Sequence, residues 1–291
     1  MSDTPAADIT TDAALVARLL AEQHPDLDGE LRLVSDGWDN QLYRLGDRLA
    51  VRVPRREAAA HLIEHEQRML PGIAERVSVR VPVPVRVGVP SATFPWPWSV
   101  VEWFDGIDGA SVGAAGRVGL AEPLALFLGE LAVPASEAPH NPVRGIPLAA
   151  RRDAVATRLR SLSGRMEVAD LEQAWREALD APAWDGPPLL LHGDLHPGNL
   201  LLGPDGDLTG VVDFGDVTSG DPATDLATAW LTFDRDARER FRRALPVTPD
   251  TATWARARGW AVTMASALAM ASDDNPRMAA LARHALAQIP E

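Results

Sequence analysis

The sequence predicts an α+β protein in two lobes, a small β-rich one followed by a larger, mostly helical one. Two observations carry this. Short apolar runs bounded by turn residues crowd the first third of the chain, and apolar residues at helical spacing dominate the rest. A third refines it: two leucine triplets, Leu189-Leu190-Leu191 and Leu200-Leu201-Leu202, flank a polar loop and read as short buried strands within the helical part.

In chain order, residues 11–22 place Ala14, Leu15, Ala17, Leu19 and Leu20 at helical spacing, with Thr10 or Thr11 available as the cap. Residues 31–34, 41–45 and 48–53 read as strands; Ser35 to Asn40 connects the first two and Gly46-Asp47 turns the last two. Residues 56–70 fit a helix that Pro71-Gly72 should break. Across 80–88 Val alternates with Pro or Arg, and Pro cannot donate to a ladder, so an edge segment is expected. An apolar strand at 99–104 ends at the turn signal Asp105-Gly106. Helices are expected at 121–131, 148–162 and 171–178, short strands at 189–191, 200–202 and 210–212, then helices at 222–231, 235–245 and 253–287. A hinge near 102–106 divides the chain into residues 1–104 and 105–291.

Composition narrows the function. With 46% hydrophobic and 24% charged residues among 291, the chain is that of an ordinary globular protein. It has no cysteine, which excludes disulfides and thiolate metal sites. A formal net charge of −13 disfavours nucleic acid and anionic membranes, and it suits a cationic partner. Residues 1–10 lack the basic and apolar regions of a signal peptide, and no apolar run nears the ~20 residues of a membrane span, so a cytoplasmic location is expected. Lysine does not occur; all 28 Lys-or-Arg positions are arginine.

The most informative stretch is His192-Gly193-Asp194-Leu195-His196-Pro197-Gly198-Asn199 between the leucine triplets, followed by Val211-Val212-Asp213-Phe214-Gly215-Asp216. Two apolar segments hold Asp194 and Asn199 at opposite ends of one loop, and a third delivers Asp213 nearby. Phosphoryl transfer needs this set: a carboxylate to accept or orient the attacking hydroxyl's proton, and oxygen ligands to hold Mg²⁺ against phosphates. Asp194 suits the first role, and Asn199 and Asp213 the second.

His-Gly-Asp, Asn five residues after that Asp, and Asp-Phe-Gly resemble the catalytic and metal loops of the aminoglycoside phosphotransferase family, relatives of protein kinases. Asp221-Pro222-Ala223-Thr224-Asp225-Leu226-Ala227, the strand Leu49 to Pro54 and the loop Gly37-Trp38-Asp39-Asn40 are similar to further family segments, so the resemblance spans about residues 30–235. It implies a bilobal, protein-kinase-like fold and transfer of phosphate from ATP or GTP, with Mg²⁺, to a hydroxyl of a small molecule. It implies that Arg52 stands where relatives offer a basic side chain to the phosphates, with Glu66 or Glu64 aiming it. Ser35 and Asn40 flank the phosphate loop, although its single glycine makes a poor cradle of amides. At the hinge, the backbone groups of Glu102 and Phe104 would face the purine. His192 and Asp225 are expected to brace the catalytic loop, and Asp221 to cap the helix that begins at Pro222.

The acceptor implied is an aminoglycoside-like antibiotic or a related metabolite; a macrolide, an amino alcohol and a sugar are alternatives. Arg52 in place of lysine and the thin phosphate loop leave a nucleotide-binding pseudokinase as a second class, against which the intact Asp194, Asn199 and Asp213 argue. A protein kinase is disfavoured, because residues 213–221 leave no room for a peptide-docking activation segment.

Overall fold

Strict alternation of half-exposed and buried residues along 40–45, followed by near-continuous burial along 49–54, builds the middle of an antiparallel sheet. The computed structural model describes residues 6–290. Its five-stranded sheet contains β1 (Leu31–Asp36), β2 (Asn40–Leu45), β3 (Leu49–Pro54), β4 (Pro84–Gly88) and β5 (Trp98–Glu102), in the order β1-β2-β3-β5-β4. The proline-bearing β4 lies at the edge, as its sequence requires. Helix α1 (Ala13–Gln23) buries Val16 and Leu19 with Tyr43, Val51 and Trp98 in a small core of their own. Its cap is Asp12, whose carboxylate accepts the Leu15 N–H at 2.7 Å. Neither Thr10 nor Thr11, the two caps expected, serves there, and Thr11 is drawn instead to a buried hydrogen bond with Gln41.

Helix α2 (Glu57–Ala74) runs on through Pro71, contrary to expectation. Proline in the last turn removes a single i→i−4 bond, and burial of Leu70 and Ile73 in the main core outweighs that loss. Beyond the hinge come β6 (Ile107–Asp108), α3 (Ala121–Leu131), α4 (Arg152–Leu162) with a 3-10 turn at Leu148–Arg151 leading into it, and α5 (Ala169–Asp180). Next are β7 (Leu189–Leu191), β8 (Leu200–Leu202), β9 (Leu208–Val211) and β10 (Thr218–Gly220). They form two small sheets, β10-β7 and β6-β8-β9. Strands β6 and β10, two and three residues long, carry no sequence pattern.

The helical end of the chain holds α6 (Ala223–Leu226), α7 (Thr228–Thr232), α8 (Arg235–Ala244), α9 (Thr251–Met270) and α10 (Pro276–Gln288). The single helix expected over 253–287 is therefore two. Asn275 caps the second by accepting the Met278 N–H at 3.2 Å, and Pro276 occupies its first turn. A large core joins α2, α3, α5 and α9 to the leucine strands and Phe214. Among the described residues no helix is long and apolar enough to cross a membrane.

One half-buried histidine makes this part of the fold sensitive to acid. His284 on α10 has a buried Nε2 without a hydrogen-bond partner. Burial first, then the Arg117 guanidinium, push its pKa down to about 4. Folded His284 thus holds its proton less tightly than the unfolded chain does. Its contribution to stability is complete above about 6.5 and is lost as pH falls toward 4. Partial exposure limits the effect to about 1–2 kcal/mol. Urea-unfolding midpoints of His284→Gln should decline less than those of the parent between pH 6.5 and 4; parallel declines would clear His284 of the effect.

Candidate active site

The loop between β7 and β8 is braced from both sides. The His192 and Gly193 N–H groups donate to the two carboxylate oxygens of Asp225 at 2.7 and 2.9 Å. His192 Nδ1 accepts the Asp194 N–H at 3.2 Å, so Nε2 bears the ring proton and donates it to the Val212 carbonyl at 3.0 Å. That imidazole ties the loop to the residue before Asp213. Gly193 has φ +88°, and a Cβ there would lie 2.3 Å from the Asp216 carbonyl oxygen, so no other residue fits. Asn199 Nδ2 donates to the Asp194 carbonyl at 2.9 Å, which leaves Asn199 Oδ1 as the amide's free acceptor.

Val212 N–H donates to the Asn199 carbonyl at 3.0 Å, placing Asp213 beside Asn199. Asp213 is held at φ +65°, the one non-glycine residue with positive φ among those described. From the sheet, Arg52 on β3 reaches across: Nη1 to Glu66 Oε1 at 2.6 Å and Nη2 to Asp213 Oδ1 at 2.9 Å. Glu66 Oε1 also accepts the Phe214 N–H at 2.9 Å. Burial pushes the Glu66 carboxyl up to about 7, against the pull of Arg52. The partner of Arg52 is Glu66; Glu64 points to solvent on the opposite face of α2. A sheet strand, a helix and two loops thus converge on one cluster of oxygen donors and a guanidinium.

A model of the phosphotransferase enzyme family matches residues 30–260. The chain belongs to that family. Among solved structures it is similar to the GDP complex of wild-type aminoglycoside 2'-phosphotransferase-IIIa, with a TM-score of 0.67 and 17% identity over 96% of this chain and 99% of that one. It is also similar to the apoenzyme of the macrolide 2'-phosphotransferase MphH from Brachybacterium faecium, with a TM-score of 0.64 and 23% identity over 94% of this chain and 98% of that one. At those identities the likeness is one of fold, a small antiparallel lobe beside a helical one. Among curated proteins, the uncharacterized protein YcbJ of Bacillus subtilis is 39% identical over 72 residues, so the match spans about a quarter (24%) of each.

In this phosphotransferase Asp194 does not stand free. Arg144 Nη2 lies 2.8 Å from Oδ1, and His196 Nε2 lies 3.5 Å from Oδ2. Burial alone would push the carboxyl up, but Arg144 and then His196 outweigh it and hold it well below the usual carboxylate range. Arg144 lies in the connection between α3 and α4, and nothing in its sequence context marks it. Asp216 is a second carboxylate beside the loop, hydrogen-bonded by Asn141 Nδ2 at 2.7 Å. Asp221 is bound by Arg256 of α9, with Nε at 2.6 Å from Oδ2, and accepts the Ala223 N–H at 3.0 Å.

The phosphate-loop region is tightened by arginines. Asp36 pairs with Arg55 at 2.9 Å, Asp39 pairs with Arg56, and Arg55 Nη1 donates to the Gly37 carbonyl at 2.6 Å. Ser35 sits exposed beside a bulge in β1, and Asn40 opens β2 with its side-chain oxygen buried and unpartnered. At the hinge Glu102 is exposed and pairs with Arg80 at 3.2 Å, and Arg80 also lies 4.2 Å from the centre of the Phe104 ring. Trp103 N–H donates to the Arg48 carbonyl at 2.7 Å.

Proposed function

We propose that this phosphotransferase moves the γ-phosphoryl group of ATP or GTP to a hydroxyl of a small molecule, an aminoglycoside-like compound or a related metabolite. The observation that carries the reading is the convergence of Arg52, Glu66, Asp213 and Asn199 on the loop that presents Asp194. Only two of the five Arg52 N–H donors engage Glu66 and Asp213, so others remain for phosphate oxygens. Glu66 aims that guanidinium. The nucleotide would lie between residues up to 104 and those from 105 onward, its purine against the backbone of Glu102 and Phe104. A cytoplasmic location accords with such a donor.

The residues present fit Mg²⁺. Among the described residues no group of three or more His, Cys, Asp or Glu could hold a metal. Asn199 Oδ1 and the half-exposed Asp213 carboxylate are hard oxygen donors, two in number, which suits an ion that completes its shell with phosphate and water. When bound, Mg²⁺ supplies neutralisation of the triphosphate charge. Asp194, kept ionised by Arg144 and His196, accepts a hydrogen bond from the acceptor hydroxyl and turns its oxygen lone pair toward the phosphorus.

Thermal unfolding with nucleotide tests the donor half of this reading. ATP or GTP together with Mg²⁺ should raise the midpoint by about 5 °C at concentrations near a hundred times Kd, and neither alone should match it. No shift with either nucleotide at 10-millimolar order concentrations would overturn it.

A further inference from the structure

Residues 139–146 belong to the connection between α3 and α4, and they are seated along the chain that follows Asp213. Thr218 Oγ1 donates to the Pro139 carbonyl at 2.7 Å. Gly145, at φ +65°, lies so close to Gly220 of β10 that a Cβ on Gly220 would fall 1.9 Å from its carbonyl oxygen. Between these anchors the buried Asn141 uses its amide in both directions. Its Nδ2 donates to Asp216 Oδ1 at 2.7 Å, and its Oδ1 accepts the N–H groups of Val143 and Arg144 at 2.9 and 3.0 Å.

These contacts close a ring around Asp194. Arg144 Nη2 reaches Asp194 Oδ1 at 2.8 Å. Gly193, the residue before Asp194, lies against the Asp216 backbone, where a Cβ would fall 2.3 Å from the carbonyl oxygen. Asp216 is held by Asn141, and Asn141 fixes the backbone that carries Arg144. Packing alone does not explain the arginine. Among the described residues its guanidinium has one hydrogen-bond partner, Asp194, and its Nε is buried with none. A buried ion pair so incompletely satisfied adds little stability. What it supplies is direction, because the carboxylate torsion of an aspartate is otherwise broad. His196 Nε2, 3.5 Å from Oδ2, is too distant to hold that second oxygen firmly.

We infer that Asn141 and Arg144 are positioning residues of the transfer: the ring commits Asp194 Oδ1 to Arg144 and leaves Oδ2 to receive the acceptor hydroxyl. This rests on the phosphotransfer reading of Asp194 given above, and it deepens that reading by assigning which carboxylate oxygen meets the acceptor and what aims it. The ring also ties that aim to the loop of Asp213, since Asp216 stands in the same turn of chain. Misplacing an attacking oxygen by about 1 Å costs about a hundredfold in rate, so fixing one carboxylate has a large effect.

Turnover of γ-labelled ATP and GTP, with Mg²⁺ and enzyme in excess, tests this with water, kanamycin and erythromycin each offered as acceptor. Arg144→Gln should lower the rate about a hundredfold, and Asn141→Ala, which keeps the Arg144 charge, about tenfold. Both should keep the nucleotide-induced thermal shift, which shows that they have folded around an intact donor site. In an Asp194→Asn background neither change should lower the rate further, because no carboxylate is left to aim; unrelated structural damage would add instead. Should Arg144→Gln lose the thermal shift, Arg144→Lys takes its place, with about a tenfold loss expected. A rate within about threefold of the parent in the Arg144 variant, an unchanged rate in Asn141→Ala, or losses that add to that of Asp194→Asn would overturn the inference. So would a parent that binds nucleotide yet turns it over no faster than Asp194→Asn with every acceptor. Absence of a nucleotide shift in the parent is a different result, because it removes the phosphotransfer reading itself.

Discussion

Asp194→Asn should lower acceptor phosphorylation about a thousandfold while the nucleotide-induced thermal shift persists. The substitution keeps the shape of the side chain, and the Asp194 carbonyl that receives Asn199 Nδ2 belongs to the backbone and is untouched. What disappears is the negative charge that orients the hydroxyl. Stability should change little. The ion pair with Arg144 is lost, but so is repulsion, since burial and then the charge of Asp194 are what raise Asp216. Arg144 and His196 hold Asp194 well below the usual carboxylate range, so the parent enzyme should show no acid limb from Asp194 between about pH 5 and 9. A variant that retains more than about a tenth of the parent turnover would remove Asp194 from this role. Loss of the nucleotide shift along with activity would point to a disturbed loop instead.

The catalytic cluster was legible because its chemistry constrains spacing. Asp194 and Asn199 must come from one short loop and Asp213 from the next turn of chain, and apolar triplets on either side mark where that loop is anchored. The pairing of Arg52 was half legible. Ala59, Ile63, Leu70 and Ile73 form one apolar stripe, and Glu66 falls on it while Glu64 does not, so helical periodicity separates the two candidates. The Asn275-Pro276 start of α10 was written in the sequence and is a stronger signal than the apolar spacing that runs across it. Pro71 misleads for the opposite reason, because tertiary burial overrides a local breaker near a helix end. Arg144 could not be read at all. It reaches Asp194 from an irregular connection whose Gly145 lies close against Gly220 of β10, and no period or motif encodes that contact.

Arg52→Ala tests the other half of the cluster, and its effect should depend on pH. Removing the guanidinium leaves Glu66 buried, with the Phe214 N–H as its remaining partner. Breaking a buried pair in this way costs about 3–5 kcal/mol when the orphaned charge cannot be neutralised. Glu66 can be neutralised. Its carboxyl already sits at about 7 with Arg52 present, because burial outweighs the guanidinium, and without Arg52 it must rise further. The unfolded carboxyl is the same in both proteins and cancels. Below pH 7 Glu66 is largely protonated in either fold, so the stability difference there is small; above it the parent ionises against Arg52 while the variant must remain protonated or hold a bare charge. Chemical denaturation should therefore show a deficit that widens between about pH 6 and 9. Adding Glu66→Gln to Arg52→Ala should recover more than half of the deficit at the alkaline end, since no buried carboxylate is then left unpaired. Nucleotide binding separates structure from function. If Arg52 contacts phosphate, the refolded double variant should still bind Mg²⁺-nucleotide about ten- to a hundredfold more weakly than the parent. Full recovery of binding with stability would confine Arg52 to holding Glu66 and Asp213 in place. A deficit of constant size across the pH range would mean that Glu66 is ionised throughout, and that the pair matters through packing and hydrogen bonding rather than through the proton.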